Sequence, residues 1–146
     1  MPYSDCIQLL QQKARQQGIH YNLEHLYPIF DALNDPHLNC QNVIHIAGTN
    51  GKGSTLTYIR SILNAAGYSV GTYTSPHLSS YRERICIDTN WISEEDFQEL
   101  FLTVEPYLPK LTEFEALTLM AFMYFEQKKP DYTLIETGLG GRLDTT

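Results

Sequence analysis

The chain has 146 residues, 42% of them hydrophobic, with 10 Lys and Arg against 17 Asp and Glu for a formal charge of −7. That balance argues against a binder of nucleic-acid backbones, because no basic grouping is longer than a pair such as Arg82 with Arg84 or Lys128 with Lys129. The length sets a single-domain expectation with enough apolar material for one core, and no apolar run approaches the roughly 18 residues that span a bilayer.

From the start, Met1-Pro2-Tyr3-Ser4-Asp5 lacks the basic-then-apolar layout of a signal peptide, which points to a cytoplasmic protein without a membrane anchor. Ile7, Leu9, Leu10 and Ala14 follow a Ser4/Asp5 cap and predict a helix that Gly18 stops; Asn22 caps a second helix through Leu33, kinked at Pro28. Cys6, Cys40 and Cys86 are odd in number and widely separated and form no Cys-x-x-Cys, so they read as reduced thiols and not as a disulfide framework or zinc site.

The texture changes at Asn42. Val43 to Ala47 reads as a buried strand that feeds straight into Gly48-Thr49-Asn50-Gly51-Lys52-Gly53-Ser54. The helix that follows places Leu56, Ile59, Ile62, Leu63 and Ala66 on one face, with Gly67 as its left-handed terminator. Val70 to Thr74 is a second strand, and the right-handed crossover makes it parallel to the first, which commits the fold to α/β.

Residues 75–84 read as an ordered polar loop, followed by a short strand over Ile85 to Asp88 and a turn near Asn90. Ser93 and Asp96 open a helix in the manner of a capping box, and Pro106 and Pro109 end it. Thr112 opens another, apolar around most of its circumference from Ala116 to Phe125 and hence largely buried. Lys128 to Asp131 turns the chain, and Tyr132 to Glu136 is a third strand of the parallel set.

A glycine loop between a buried strand and an amphipathic helix aims backbone N–H groups and the positive helix end at one point, which suits phosphate oxygens. A plain turn needs neither three glycines in six residues nor Lys52 among them. The strict pattern GxxxxGK[ST] is not met: Ile46 stands at its first glycine and Gly53 at its Ser or Thr, so a magnesium-binding hydroxyl comes from Ser54 or from elsewhere. Residues leaving the other two parallel strands are the place to look, because ligands gather beyond the carboxyl ends of strands in open α/β sheets. Those residues are Ser75 and Glu136, a hydroxyl and a carboxylate of the kind Mg²⁺ takes beside phosphates and water. Ser75 also fits a turn hydroxyl that bonds its own backbone. His45 reads as a hydrogen-bonded core histidine, and His77 is left open.

Together GTNGKGS at 48–54, TSPHL at 74–78, TEFEALT at 112–118 and ETGLGGRLDTT at 136–146 resemble the folylpolyglutamate synthase/dihydrofolate synthase family of the Mur-ligase superfamily. The resemblance implies a P-loop-containing, mainly parallel sheet flanked by helices, with residues 1–146 forming an incomplete N-terminal ATP-binding domain and a C-terminal ligase domain lying outside this sequence. It implies ATP phosphates on Asn50, Gly51, Lys52, Gly53 and Ser54, Mg²⁺ on Ser75 and Glu136, and catalytic roles for Lys52 and Glu136. Thr112, Phe114 and Glu115 become contacts for the pteridine-bearing substrate, Arg142 and Asp144 contacts for substrate or phosphate, and His20-Tyr21-Asn22-Leu23 a further one. Thr112 and Glu115 also make a plain helix capping box, and Arg142 and Asp144 read by default as turn residues.

The implied activity is ATP-dependent joining of L-glutamate to a folate or dihydropteroate carboxylate through an acyl phosphate, in an intact protein expected to be a monomer. The 146 residues alone are expected to be inactive and to leave an unpaired strand edge. Two other readings stand beside it, a non-catalytic nucleotide-binding module and another Mur-type amino-acid ligase.

Overall fold

The computed structural model describes residues 1–16 and 22–146. Gly18, His20 and Tyr21, read above as a helix stop and part of a substrate contact, lie outside the described residues.

Helix α1 (Tyr3–Gln16) buries Cys6 and Leu10, one turn apart on the same face. The N–H groups of Asp5 and Cys6 bond to the Pro2 carbonyl, so Ser4 and Asp5 lie inside the first turn and not at the cap. The helix expected over residues 22–33 is divided. Asn22 does cap, its Oδ1 accepting from the Glu24 N–H at 2.8 Å, but it starts a 3-10 turn (Glu24–Leu26) that passes into the short α2 (Tyr27–Ala32). Pro28 stands in the first turn of α2, where a missing N–H leaves no bond unmade, so there is no kink.

One mixed sheet follows the order β1-β5-β2-β3-β4. β1 (Val43–Ile46), β5 (Tyr132–Glu136) and β2 (Val70–Tyr73) are parallel, while β3 (Ile85–Ile87) and β4 (Asn90–Trp91) extend the β2 side antiparallel. β1 and β2 are parallel as expected, but β5 stands between them. The strand with Leu134 and Ile135 almost fully buried takes the centre, and β1 is left at an edge with Val43 and His45 exposed. The expected fully buried first strand is thereby corrected: one side of its ladder meets no described strand. The turn expected near Asn90 is Asp88-Thr89, with Asp88 at φ 56, and Asn90 itself begins β4. The polar segment before β3 contains a 3-10 turn (Tyr81–Arg84), closed by a reciprocal Ser80/Glu83 capping box.

Leu134 and Ile135 point to opposite faces of the sheet and belong to two separate cores. On one face α3 (Lys52–Ala65) lays Leu56, Ile59 and Leu63 over Ile46, Val70 and Leu134. Ile62, about 120° round the helix from Leu56 at ~100° per residue, is exposed and so is Ala66, which narrows the face read from the sequence. Gly67 closes α3 at φ 91, with Tyr68 N–H on the Leu63 carbonyl and Gly67 N–H on that of Asn64, both at 3.0 Å.

The other face carries α5 (Glu113–Lys128), buried at every residue from Glu115 to Phe125. Around it pack α1 and α4 (Glu94–Val104), which runs into a 3-10 segment (Glu105–Lys110) at the two prolines. Ser93 accepts from the Asp96 N–H as expected, but the Asp96 carboxylate reaches Lys128 at 3.1 Å and completes no capping box. All three cysteines are free.

Gly71 fixes how closely α5 approaches the sheet: a Cβ there would lie 2.8 and 2.9 Å from two ring atoms of Phe125 and 3.0 Å from Pro130. Gly71→Ala is therefore expected to lower stability in urea unfolding by about 1–3 kcal/mol, and Phe125→Leu in the same chain to reduce that penalty.

Candidate active site

The register that places β5 between β1 and β2 also sets Ile46 beside Glu136 and Tyr73 beside Ile135, so three chain segments leave the sheet side by side at its carboxyl end. The first is the glycine loop. Gly51 is the N-cap of α3 in the left-handed region (φ 79, ψ 8), and no side chain caps the helix. The first N–H bonded back into the helix is that of Thr55, to the Gly51 carbonyl at 2.9 Å. The preceding amides of Lys52, Gly53 and Ser54 keep the donor character and positive end of a helix start. Asn50 and Ser54 are exposed on either side of Gly51 and Lys52.

The second and third segments supply Ser75 and Glu136. Glu136 is only 5% exposed. Burial raises its carboxyl above the ordinary value of 4.5, against the opposing pull of the Lys52 charge and a backbone hydrogen bond from Ser75. A Cβ at Gly53 would lie 3.8 Å from Glu136 Oε2. Position 53 is where a strict phosphate loop carries its hydroxyl, so the carboxylate of a neighbouring strand stands next to the place that hydroxyl vacates. The structure brings Lys52, Gly53, Ser75 and Glu136 together.

This cradle fits a small divalent cation. The donors are hard oxygens, Glu136 is buried with its negative charge only partly offset, and room remains where a side chain at 53 would be. Among the described residues no cluster of three His, Cys, Asp or Glu could hold a metal, so a cation here takes most of its ligands from phosphate and water.

Beside the cradle opens a cleft of about 740 Å³ whose wall includes Ser75, Arg84, Glu113, Phe114, Gly138 and Arg142. The Phe114 ring lies directly on Gly138, where a Cβ would fall 2.6 to 3.1 Å from three ring atoms. Behind it the Tyr73 ring is 5.9 Å away, and Tyr73 Oη pairs at 3.1 Å with Thr118 Oγ1, which in turn donates to the Phe114 carbonyl. The aromatic wall is thus fixed from two sides.

Thr112 and Glu115 form the full capping box, with Glu115 N–H on Thr112 Oγ1 at 3.1 Å and Thr112 N–H on Glu115 Oε2 at 2.8 Å. The other Glu115 oxygen meets His25 Nε2 at 2.9 Å. Asp144 accepts from the Leu139 N–H, the Thr146 N–H and the Thr146 hydroxyl, which folds the 139–146 loop back on itself. Arg142 is exposed and lines both this cleft and a second recess of about 670 Å³ against Tyr27, His37 and His45. His45 is a correction: on an edge strand it is exposed, and its Nε2 bonds Thr146 Oγ1 at 2.8 Å instead of a core partner.

Sequence reasoning missed Arg84. It is buried, donates from Nε to His77 Nδ1 at 2.9 Å and reaches Glu113 at 3.7 Å. Tyr81 stacks 4.1 Å from the His77 ring and lies 5.3 Å beneath the guanidinium. Burial first, and then the Arg84 charge, lower the His77 pKa below its ordinary value. Glu83 gathers the Ser79 hydroxyl and the amides of Leu78, Ser79 and Ser80, which pull its carboxyl down to about 2. An arginine ahead of an apolar strand gives no sign of its burial until the sheet is assembled.

Fold and site together define a P-loop-type α/β domain with a carboxylate from the adjoining strand at the loop. No family model matches the chain. It is 48% identical over 111 residues to the dihydrofolate synthase/folylpolyglutamate synthase of Bacillus subtilis, an alignment covering 70% of this chain and 26% of that protein. The crystal structure of folylpolyglutamate synthase from Thermotoga maritima matches with a TM-score of 0.86 and 40% identity, over 98% of this chain and 34% of that one. E. coli FolC in complex with DHPP and ADP matches with a TM-score of 0.90 and 36% identity, over 100% of this chain and 35% of that one. The chain belongs to the folylpolyglutamate synthase/dihydrofolate synthase family, and it spans about a quarter to a third of the length of these relatives.

The Glu136 geometry carries a pH signature. A carboxyl whose pKa is raised on folding costs stability as pH rises from the unfolded value through the folded one, and costs none below both. Without divalent metal, Glu136→Gln is expected to melt higher than the unaltered chain at neutral pH, with the difference vanishing below about pH 4.5. Thermal unfolding in EDTA across that range checks it.

Proposed function

We propose that this chain is the ATP-binding part of an ATP-dependent ligase that joins L-glutamate to the carboxylate of a folate or dihydropteroate through an acyl phosphate. One observation carries the reading: the uncapped start of α3, Lys52, Ser75 and the buried Glu136 meet at a single point beside a cleft with an aromatic wall. The reaction needs that convergence. A substrate carboxylate must approach the terminal phosphate of ATP, and two unit charges about 4 Å apart repel by roughly 4 kcal/mol at an effective dielectric near 20. Repulsion of that size slows a reaction nearly a thousandfold, at about 1.4 kcal/mol per factor of ten.

In this reading the amides of Gly51 to Ser54 and the Lys52 ammonium hold the phosphates, with Asn50 at the edge of the loop. Ser75 and Glu136 hold Mg²⁺, which when bound offsets the phosphate charge as the acyl phosphate forms. The attacking group is the substrate's own carboxylate, so no protein nucleophile is required. Phe114 offers a flat face to a pterin ring, and Arg142 reaches the substrate or phosphate from the rim. Thr112, Glu115 and Asp144 bond groups of the chain itself and in this reading shape the wall.

A second domain, outside these residues, supplies the remaining contacts to ATP and glutamate. We further propose a cytoplasmic, monomeric protein with no nucleic-acid or membrane partner; the acidic balance speaks against a polyanionic partner and the free thiols fit a reducing compartment. Among the described residues no helix is long and apolar enough to cross a membrane.

Calorimetric titration of the chain with Mg·ADP tests the phosphate site. Lys52→Ala is expected to weaken binding by about tenfold to a hundredfold, the range of a charged hydrogen bond of about 1.5–3 kcal/mol; an unchanged affinity would remove the central claim. In a glutamate-ligation assay the chain alone is expected to give no turnover. Substrate-dependent turnover by these 146 residues would overturn the assignment to a second domain.

A further inference from the structure

Arg84 brackets Ser75 from both sides. Its carbonyl accepts the Thr74 N–H at 3.0 Å, and its Nε donates to His77 Nδ1 at 2.9 Å. Ser75 and Pro76 are the residues between these two anchor points. The same guanidinium lies 3.7 Å from Glu113, the residue before Phe114 at the start of α5. One buried side chain therefore ties the turn that carries Ser75 to the helix that forms the aromatic wall.

The chemistry of the contact is specific. An arginine Nε always bears its hydrogen, so His77 Nδ1 must be the bare acceptor, and the imidazole carries its hydrogen on Nε2. The Tyr81 ring, against both His77 and the guanidinium, restricts each to one orientation. A lysine in place of Arg84 keeps the charge and its attraction to Glu113 but has no planar fork to deliver a hydrogen at a fixed angle.

We infer that Arg84 is a positioning residue for the metal-side turn, holding His77 and thereby the Ser75 hydroxyl in place opposite Glu136. The inference rests on the reading of Ser75 as a magnesium ligand. Outer partners of this kind change metal affinity by about 10–100-fold when removed.

The test uses the 146-residue chain, with Mn²⁺ as the probe for Mg²⁺. Free Mn²⁺ is read by electron paramagnetic resonance in the presence of ADP, and metal-free ADP binding is measured separately in EDTA. Arg84→Lys is expected to weaken Mn·ADP binding about tenfold and to leave metal-free ADP binding within about twofold. His77→Ala should reproduce that loss, whereas His77→Asn, whose amide oxygen can accept from Nε, should restore most of the affinity. In a Ser75→Ala background, Arg84→Lys should add nothing. A merely structural role predicts equal losses with and without metal, or an undiminished loss in the Ser75→Ala background, and either result overturns the inference. If Arg84→Lys does not fold by circular dichroism, the His77→Ala and His77→Asn pair decides. Ser75→Ala without effect on Mn·ADP is a separate outcome, which sinks the metal reading on which the inference stands.

Discussion

The structure is organised around a carboxylate that has been taken out of water. Glu136 ends the central strand, almost wholly buried, and its ionised form is held against the cost of burial only by Lys52 and a backbone amide. Such a group is unfavourable in a domain that has nothing to do with it, because a paired or neutral side chain would cost less. Its position follows from topology. With β5 between β1 and β2, the last residue of the central strand is flanked on one side by the glycine loop and on the other by the Ser75 turn. Moving β5 to an edge would take the carboxylate out from between the two loops and expose it to solvent. Sheet order, more than any single motif, makes the site.

The polar residues around the cleft divide into two groups by what they bond. Glu115, Thr112, Asp144 and Glu83 accept hydrogens from the chain's own backbone and cap or close the segments that surround the opening. The loop amides at the start of α3 have no side-chain cap, and the Phe114 ring turns one side to Gly138 and lines the opening. Capped segments are stiff, and a stiff frame is what lets uncapped donors keep a fixed aim without a ligand to order them. The network of Arg84, His77, Tyr81 and Glu113 belongs to the frame by its bonding and to the site by its location.

What the sequence revealed and what it concealed separate by range. The glycine loop, the Gly67 terminator, the buried α5 and the exits at Ser75 and Glu136 were legible because each is written in residues close together: a strand followed by glycines and lysine, a glycine after an apolar stripe, an apolar run without a polar face. The insertion of β5 was not, since strand order depends on pairing between residues about ninety apart, as at Ile46 and Glu136. One error has that origin. Val43 and His45 read as interior because β1 is apolar enough to be central, but β5 pairs with a strand on each side and β1 on one side only, which leaves both residues exposed. The kink expected at Pro28 has a different, local cause: a proline inside an apolar stretch reads as a kink unless the helix is seen to begin one residue before it.

Glycine shows how far local reasoning reaches. At Gly51 and Gly67 the reason is backbone conformation, a positive φ that most residues adopt only at a cost, and a strand-loop-helix pattern suffices to expect it. At Gly71 and Gly138 the reason is space: the missing Cβ would press on a Phe125 ring and a Phe114 ring, each from a distant part of the chain, whereas a Cβ at Gly53 would make only an ordinary contact, 3.8 Å from the Glu136 carboxylate. The loop motif treats Gly53 as a defect, a position where a hydroxyl ought to be. Glu136 stands next to that position, 3.8 Å from where a Cβ would be, so a buried carboxylate from another strand lies beside the place where the motif carries its hydroxyl. A motif read with its mismatch therefore holds more information than a perfect match, because the mismatch points to the strand whose carboxylate stands beside it.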